Sequence, residues 1–242
     1  MTRWRSLIVL GLVCLPALAL LVGLGLWQLQ RLAWKEALIG EVTARAGSAP
    51  TDAPAEAEWS GLKQENYEYR HVRVTGAYDP AHQALVFRAL EKPRGHFGGQ
   101  GYLVMTPLLL PDGASILVNR GFVPLERGDA AATAPASPVE VTGLLRAPEP
   151  RNWFTPADDP ARGQWYTRDP AAIAAALGVA RAAPFTLDAD AGADPAALPE
   201  GGETILAFPN TPREYALTWF GMALALAGVF AAYAVSALRP RL

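Results

Sequence analysis

The sequence predicts an α+β membrane protein: two terminal transmembrane helices flanking a mostly antiparallel, curled β-sheet domain with one small helix. Three observations predict it. Between Arg5 and Arg31 no side chain is charged, and the stretch reads SLIVLGLVCLPALALLVGLGLWQLQ. The same holds between Glu214 and Arg239, over YALTWFGMALALAGVFAAYAVSAL. Between these stretches charges recur every few residues, and short β-type runs are separated by turn signals with no βαβ alternation. A helix rises about 1.5 Å per residue, so a bilayer core of about 30 Å takes roughly 20 apolar residues, and both stretches reach that length. Hydrophobic residues are 51% of the 242, only slightly high for a soluble chain, so their uneven spread carries the signal.

The first stretch is expected to be an uncleaved anchor over 6–28. A cleaved signal peptide has a shorter apolar core followed by a small-residue site. Here Ala17-Leu18-Ala19 lies mid-stretch, and Trp27-Gln28-Leu29 at the end is a poor cleavage site. A lipoprotein signal would use Cys14, but Gly11-Leu12-Val13 before it is a weak match. Arg3 and Arg5 precede this span, and Arg239 and Arg241 follow the second, over 214–238. The positive-inside rule then places residues 1–5 and 239–242 in the cytoplasm and the 29–213 region in the periplasm. Arg31 and Lys35 argue the other way, but a long loop is exported largely regardless of its charge. Trp27, Trp34 and Trp219 fall where aromatic anchors sit at the outer interface. Nothing like a transit peptide precedes the first span, which favours a bacterial inner membrane over a mitochondrial one.

Helical spacing of Leu29, Leu32, Ile39 and Val42 extends the first helix to about Ala46. GSAPTDAPAEAEW, 47–59, reads as a Pro- and Ala-rich connector. HVRVTGAY from His71 to Tyr78 alternates polar and apolar residues, and Asp79-Pro80 stops it; ALVFRAL follows, then a Gly-rich loop from Gly95 to Gly101. Two β-rich runs flank Pro111-Asp112-Gly113, where Pro presets the turn and Gly permits positive φ. An Ala- and Pro-rich loop from Gly128 to Pro138 leads to the strand VEVTGLLR. Gln164 to Arg168 reads as a strand, and PAAIAAALG as a short helix with Pro at its first turn and Gly at its end. APFTLDAD and ETILAF are the last expected strands.

The net charge of −2, with no dense basic run, gives no nucleic-acid footprint. Cys14 is the single cysteine, which excludes an internal disulfide and a CxxC redox or copper site. No GxSxG, P-loop, GxGxxG after a strand or HExxH is present, so no catalytic set converges and an enzyme is not expected. His71, His82 and His96 lack metal-ligand spacing; His71 alternates with Val72 and Val74 and reads as a solvent-face strand residue. Asp158-Asp159 read as turn formers before Pro160. Asn119-Arg120-Gly121-Phe122 closes an apolar strand, where a guanidinium needs a partner or a ligand; for Arg120 a carboxylate partner is expected. Trp165, Tyr166, Arg168 and Asp169 form a second polar–aromatic cluster, readable as a site or as a fold-internal ion pair. Gly221 with Ala225, Gly228 with Ala232 and Ala19 with Gly23 could let helices approach closely in lipid.

Several segments resemble the surfeit-locus (Shy-type) family of cytochrome c oxidase assembly factors. They are GLWQLQRLAWKEALI at 25–39, YRHVRVTGAYDP at 69–80, GYLVMTPLLLPDGASILVNRGFVP at 101–124, VTGLLRAPE at 141–149, WYTRDP at 165–170 and GGETILAFPNTPREYALTWFGMALAL at 201–226. They run in the family's order over nearly the whole chain. The resemblance implies an assembly factor for heme–copper cytochrome c oxidase, assisting maturation of subunit I around heme a insertion, with subunit I, the assembly or heme a synthesis machinery and the lipid bilayer as partners. The residues at matching positions are Trp27, Gln28, Arg31, Tyr78, Asn119, Arg120, Gly121, Trp165, Tyr166, Arg168, Asp169, Tyr215, Thr218 and Trp219.

One position departs from the family. A histidine that usually stands just before the second span, and is the favoured heme ligand, is replaced by Pro212. Heme a is therefore expected at most transiently, with His71, His82, His96 and Tyr215 as weak candidate donors and no metal site. Two alternatives stand beside the assembly reading: a heme a-binding carrier, and a two-span envelope receptor or sensor.

Overall fold

The computed structural model describes residues 3–132, 138–204 and 212–238. In chain order the elements are α1 (Arg3–Ala46), β1 (Thr51–Asp52), α2 (Glu56–Trp59), α3 (Gln64–Tyr67), β2 (His71–Tyr78), β3 (Ala84–Leu90), β4 (Gly99–Leu109), β5 (Ser115–Pro124), β6 (Val139–Arg146), β7 (Gln164–Trp165), α4 (Pro170–Leu177), β8 (Ala182–Ala189) and α5 (Pro212–Leu238). The chain divides into two compact units, Met1–Glu41 with Ala207–Leu242, and Val42–Leu206.

In the first unit α1 and α5 are each long and apolar enough to cross a membrane. Their contact sets phenylalanine rings against glycines of α1. A Cβ on Gly25 would stand 2.6 Å from the Phe220 ring, and one on Gly11 would stand 3.8 Å from Phe230. The expected small-residue pairs are not this contact: a Cβ on Gly23, Gly221 or Gly228 meets no described atom within 4 Å. Ring-into-glycine packing fills the gap with one large side chain, where small-on-small packing needs closer helix axes. Gln28 is buried on α1, as are Ala216 and Ala223 on α5.

In the second unit, five strands close a small barrel in the order β2–β6–β8–β5–β4. It returns to β2 through Ala77 opposite Leu109 and Tyr78 opposite Leu108. β3 extends from β4, β7 from β3, and β1 from β2. Among the described residues only the β1–β2, β3–β7 and β5–β8 pairings are parallel, so the sheet is mostly antiparallel and curled, as the sequence predicts. β5, SILVNRGFVP, is buried at every position but Arg120, as a strand covered on both faces must be. One core cluster gathers Trp59, Tyr67, Val72, Leu108, Ile116 and Phe185, with Trp59 edge-on to Phe185 at 5.9 Å. A second gathers Val86, Leu103, Met105, Phe122, Trp165 and Ile173. The Asp169 carboxylate caps α4 by accepting from the N–H groups of Ala171 and Ala172, and Gly178 ends it at φ +69°.

Local expectations fail where tertiary partners intervene. The 47–59 connector carries β1 and the single turn α2, because Thr51 and Asp52 find β2 alongside. The supposed loop to Gly101 is already strand from Gly99, paired to Leu90. The strand expected over Gln164–Arg168 stops at Trp165, since the Tyr166 N–H goes to the Asp158 carboxylate at 2.6 Å. 3-10 turns occupy Leu125–Ala132, and residues 133–137 of that expected loop lie outside the described residues. Of the strand expected over ETILAF, Glu203 and Thr204 are not in a strand and 205–208 lie outside the described residues.

Candidate functional site

β5, β6 and β8 lie side by side, and register sets Asp188 opposite both Asn119 and Leu144. The Asp188 side chain is 4% exposed. It accepts from Asn119 Nδ2 at 3.0 Å, Arg168 Nη1 at 2.8 and 3.0 Å, Arg146 Nη1 at 3.2 Å and the Thr204 hydroxyl at 2.7 Å. Glu149 takes a two-pronged bond from Arg88, at 2.6 and 3.1 Å, and stands 3.5 Å from Arg168 Nε. The Arg146 guanidinium lies 4.6 Å from the centre of the Tyr69 ring and 3.8 Å from Glu68. Arg88, Asn119, Arg146, Glu149, Arg168 and Asp188 line a cavity of about 190 Å³ with Glu203 and Thr204 beside them.

The electrostatics favour the charged forms of Asp188, Arg168 and Glu149. Burial would raise the Asp188 carboxyl, but Arg168 and Arg146, with the Thr204 and Asn119 hydrogen bonds, outweigh it and hold it below the ordinary aspartate value. Burial would lower Arg168, and the Asp188 and Glu149 carboxylates more than offset it. Glu149 is likewise held low, its own burial being outweighed by Arg88 and Arg168. A carboxylate held ionised in this way is poorly matched to proton transfer near neutral pH.

Side-chain bonds on either side of the cluster fasten both ends of this unit. His71 is not on the solvent face: its side chain is 19% exposed, with Nε2 2.8 Å from Asp190 and Nδ1 2.7 Å from the Ser48 carbonyl oxygen. The reach across β6 passes Gly143, where a Cβ would stand 2.1 Å from the Asp188 carbonyl oxygen. At the other end, Thr204 bonds Asp188 while its carbonyl accepts from Arg94 at 3.0 Å. Glu203 accepts the N–H groups of Arg94 and Gly95, and buried Glu200 those of His96 and Phe97. Gly121, at φ +134°, lets this segment in: a Cβ there would lie 2.2 Å from the Glu200 backbone.

The two polar clusters marked in the sequence therefore meet through Asn119 and Arg168, while their other members go elsewhere. Trp165 is core, Tyr166 lies tilted beside Phe87 with ring centroids 6.2 Å apart, and Asp169 caps α4. Arg120 is half-buried beneath the Tyr78 ring at 5.4 Å and donates to the Ala131 carbonyl at 3.3 Å. A buried guanidinium–carboxylate pair of the kind expected of Arg120 is made by Arg168 with Asp188. Asp158 does more than form a turn, accepting from Tyr166 N–H and the Thr167 hydroxyl. No sequence motif marks Asp188 or Glu200, and Arg146 and Glu149 lie in the resembling segment VTGLLRAPE without being singled out in it. An acidic residue inside the apolar run APFTLDAD was the one available sign of Asp188.

The histidines are dispersed, each beside a carboxylate: His82 with Asp79 at 2.7 Å and His96 with Glu200 at 3.4 Å, besides His71. No group of three potential metal ligands occurs among the described residues. In the helical unit Arg31 lies over the Trp27 ring at 5.4 Å, Tyr215 is 56% exposed, and buried Trp219 Nε1 has no partner among the described residues. Pro212, which is buried, opens α5.

A family model described as the SURF1 family matches residues 15–224. The chain is 34% identical to Surfeit locus protein 1 of Mus musculus over 227 residues, covering 88% of this chain and 71% of the relative. It is 34% identical to Surfeit locus protein 1 of Xenopus tropicalis, covering 84% and 68%. It is 35% identical to a SURF1-like protein of Drosophila melanogaster, covering 84% and 70%.

Proposed function

The chain belongs to the SURF1 family, and from that premise we propose that it is a membrane-bound, non-enzymatic assembly factor for heme–copper cytochrome c oxidase. In this reading it assists maturation of subunit I around heme a insertion, in contact with the heme a synthesis machinery. Both helices span a bacterial inner membrane, the termini are cytoplasmic and the barrel unit is periplasmic. The observation that carries the reading is the extent of the family match, which takes in most of α1, the whole barrel and half of α5. The ionic cluster supports it too, because a site of fixed, mutually paired charges suits a scaffold better than a catalyst.

The test is deletion of the gene in its bacterium, followed by the optical spectrum of the membranes and affinity purification of the complemented strain's tagged protein. Loss of heme a absorbance relative to oxidase protein, with recovery of subunit I on the tagged chain, is the expected result. A normal oxidase spectrum without the gene overturns the proposal.

Assembly here proceeds without stably held low-spin heme a. Axial ligation takes a nitrogen, sulfur or phenolate donor, and Pro212 offers only an amide nitrogen. His71 spends both ring nitrogens on Asp190 and Ser48. Co-expression with heme a synthesis should give a reduced-minus-oxidised spectrum without a near-stoichiometric low-spin band; such a band would sink this part of the reading.

A further inference from the structure

In the barrel unit only four large apolar side chains are exposed among the described residues, and two of them stand apart. Leu109 and Leu125 are 43% and 45% exposed, whereas the neighbours Trp153 and Phe154 are 93% and 89% exposed. They sit at the tip of the 147–163 loop, in a turn held by its own bonds. Asn152 Oδ1 accepts from Phe154 N–H, the Asn152 carbonyl accepts from Thr155 N–H, and Arg151 binds Asp158 and the Pro156 carbonyl. The turn therefore presents both rings outward.

We propose that this Trp153–Phe154 tip inserts into the headgroup–acyl boundary of the lipid bilayer. The inference rests on the reading that α1 and α5 are embedded in that bilayer. Two observations favour lipid over a protein partner. First, the tip NWFTPA carries no charge, and Arg151 beside it is neutralised by Asp158, so nothing opposes entry into the boundary layer, where Trp is favoured. Second, two aromatic side chains offer about 500 Å² at most, short of the roughly 800 Å² per partner of a stable protein interface, whereas lipid needs no complementary surface.

The test uses the full chain in vesicles of phosphatidylcholine and phosphatidylglycerol, with and without bromine on the upper acyl carbons. Bimane is placed on Phe154→Cys or Glu140→Cys, each in a Cys14→Ala background, and on native Cys14 as a reporter of the α1 span. Glu140 is exposed and six residues back along β6 from Arg146, about 20 Å. Brominated lipid should quench the labels at 154 and 14 by about twofold and leave that at 140 unchanged. Quenching at 14 without quenching at 154 overturns the inference and leaves the anchoring intact. No quenching at either removes both. Shielding of 154 from aqueous iodide only when oxidase subunits are added also overturns it, in favour of a protein contact.

Discussion

Arg168–Asp188 and Arg181–Glu56 join the same chemical groups in different surroundings. In the first pair the side chains are 8% and 4% exposed, and three further side chains converge on the same carboxylate. In the second they are 47% and 35% exposed, and Arg181 divides its donors between Glu56 and the Asp112 carbonyl. Each arrangement pulls its carboxyl below the ordinary value. For Glu56 the hydrogen bond from Arg181 leads; for Asp188 the arginines must first overcome burial. The difference teaches that an ion pair's worth is set by what happens when half of it is removed. Water takes the place of an exposed partner, but nothing takes the place of a buried one.

The strongest way to break this comparison is Asp188→Ala. It leaves buried Arg168 with Glu149 alone at 3.5 Å, takes from Asn119 and Thr204 their acceptor, and should cost about 3–5 kcal/mol, enough to unfold a marginal domain. Membrane abundance and the melting midpoint of the purified chain measure it. A variant that accumulates and melts like the parent would show that the cluster is not what holds the barrel.

A smaller effect comes from pH, and its sign separates the cluster from the His71 latch. Asp188 and Glu149 have folded-state values below their unfolded ones. Their stabilisation is present above about pH 4, the ordinary carboxylate range, and is lost as pH falls through the lower folded values. For His71, burial acts downward, but the Asp190 and Ser48 bonds outweigh it and leave the ring raised. Its contribution is complete below about pH 6.5 and is lost as pH rises through the folded value. The gap in melting midpoint between the parent and His71→Gln should therefore narrow from pH 6 to pH 8, while the Asp188 cluster loses strength only in acid. A gap that widened with pH would invert the assignment.

The smallest effect is that of Glu56→Gln. Its partner is open to water, so the melting midpoint should not shift resolvably and oxidase assembly should be unchanged. A large loss here would mean that exposure is a poor guide to the two pairs.

By itself the sequence determined what depends on near neighbours. Alternation fixed β2 at His71–Tyr78, Pro111-Asp112-Gly113 fixed the β4–β5 turn, and Pro170 and Gly178 fixed both ends of α4. Two uncharged stretches fixed the long helices, because lipid-length apolarity is a local property. Only the tertiary structure decided which charges meet. Asp188 finds Arg168 across 20 positions, Arg146 across 42 and Asn119 across 69, while His71 finds Asp190 across 119. The strand partners are those chosen by barrel closure and register, and a side chain's residue type and spacing carry no record of what will lie opposite it. Helix packing divides in the same way. Small residues at four-residue spacing were visible in the sequence, but which glycine receives a ring depends on how the two helices are rotated against each other, and Gly25 with Phe220 could be seen only once they were packed.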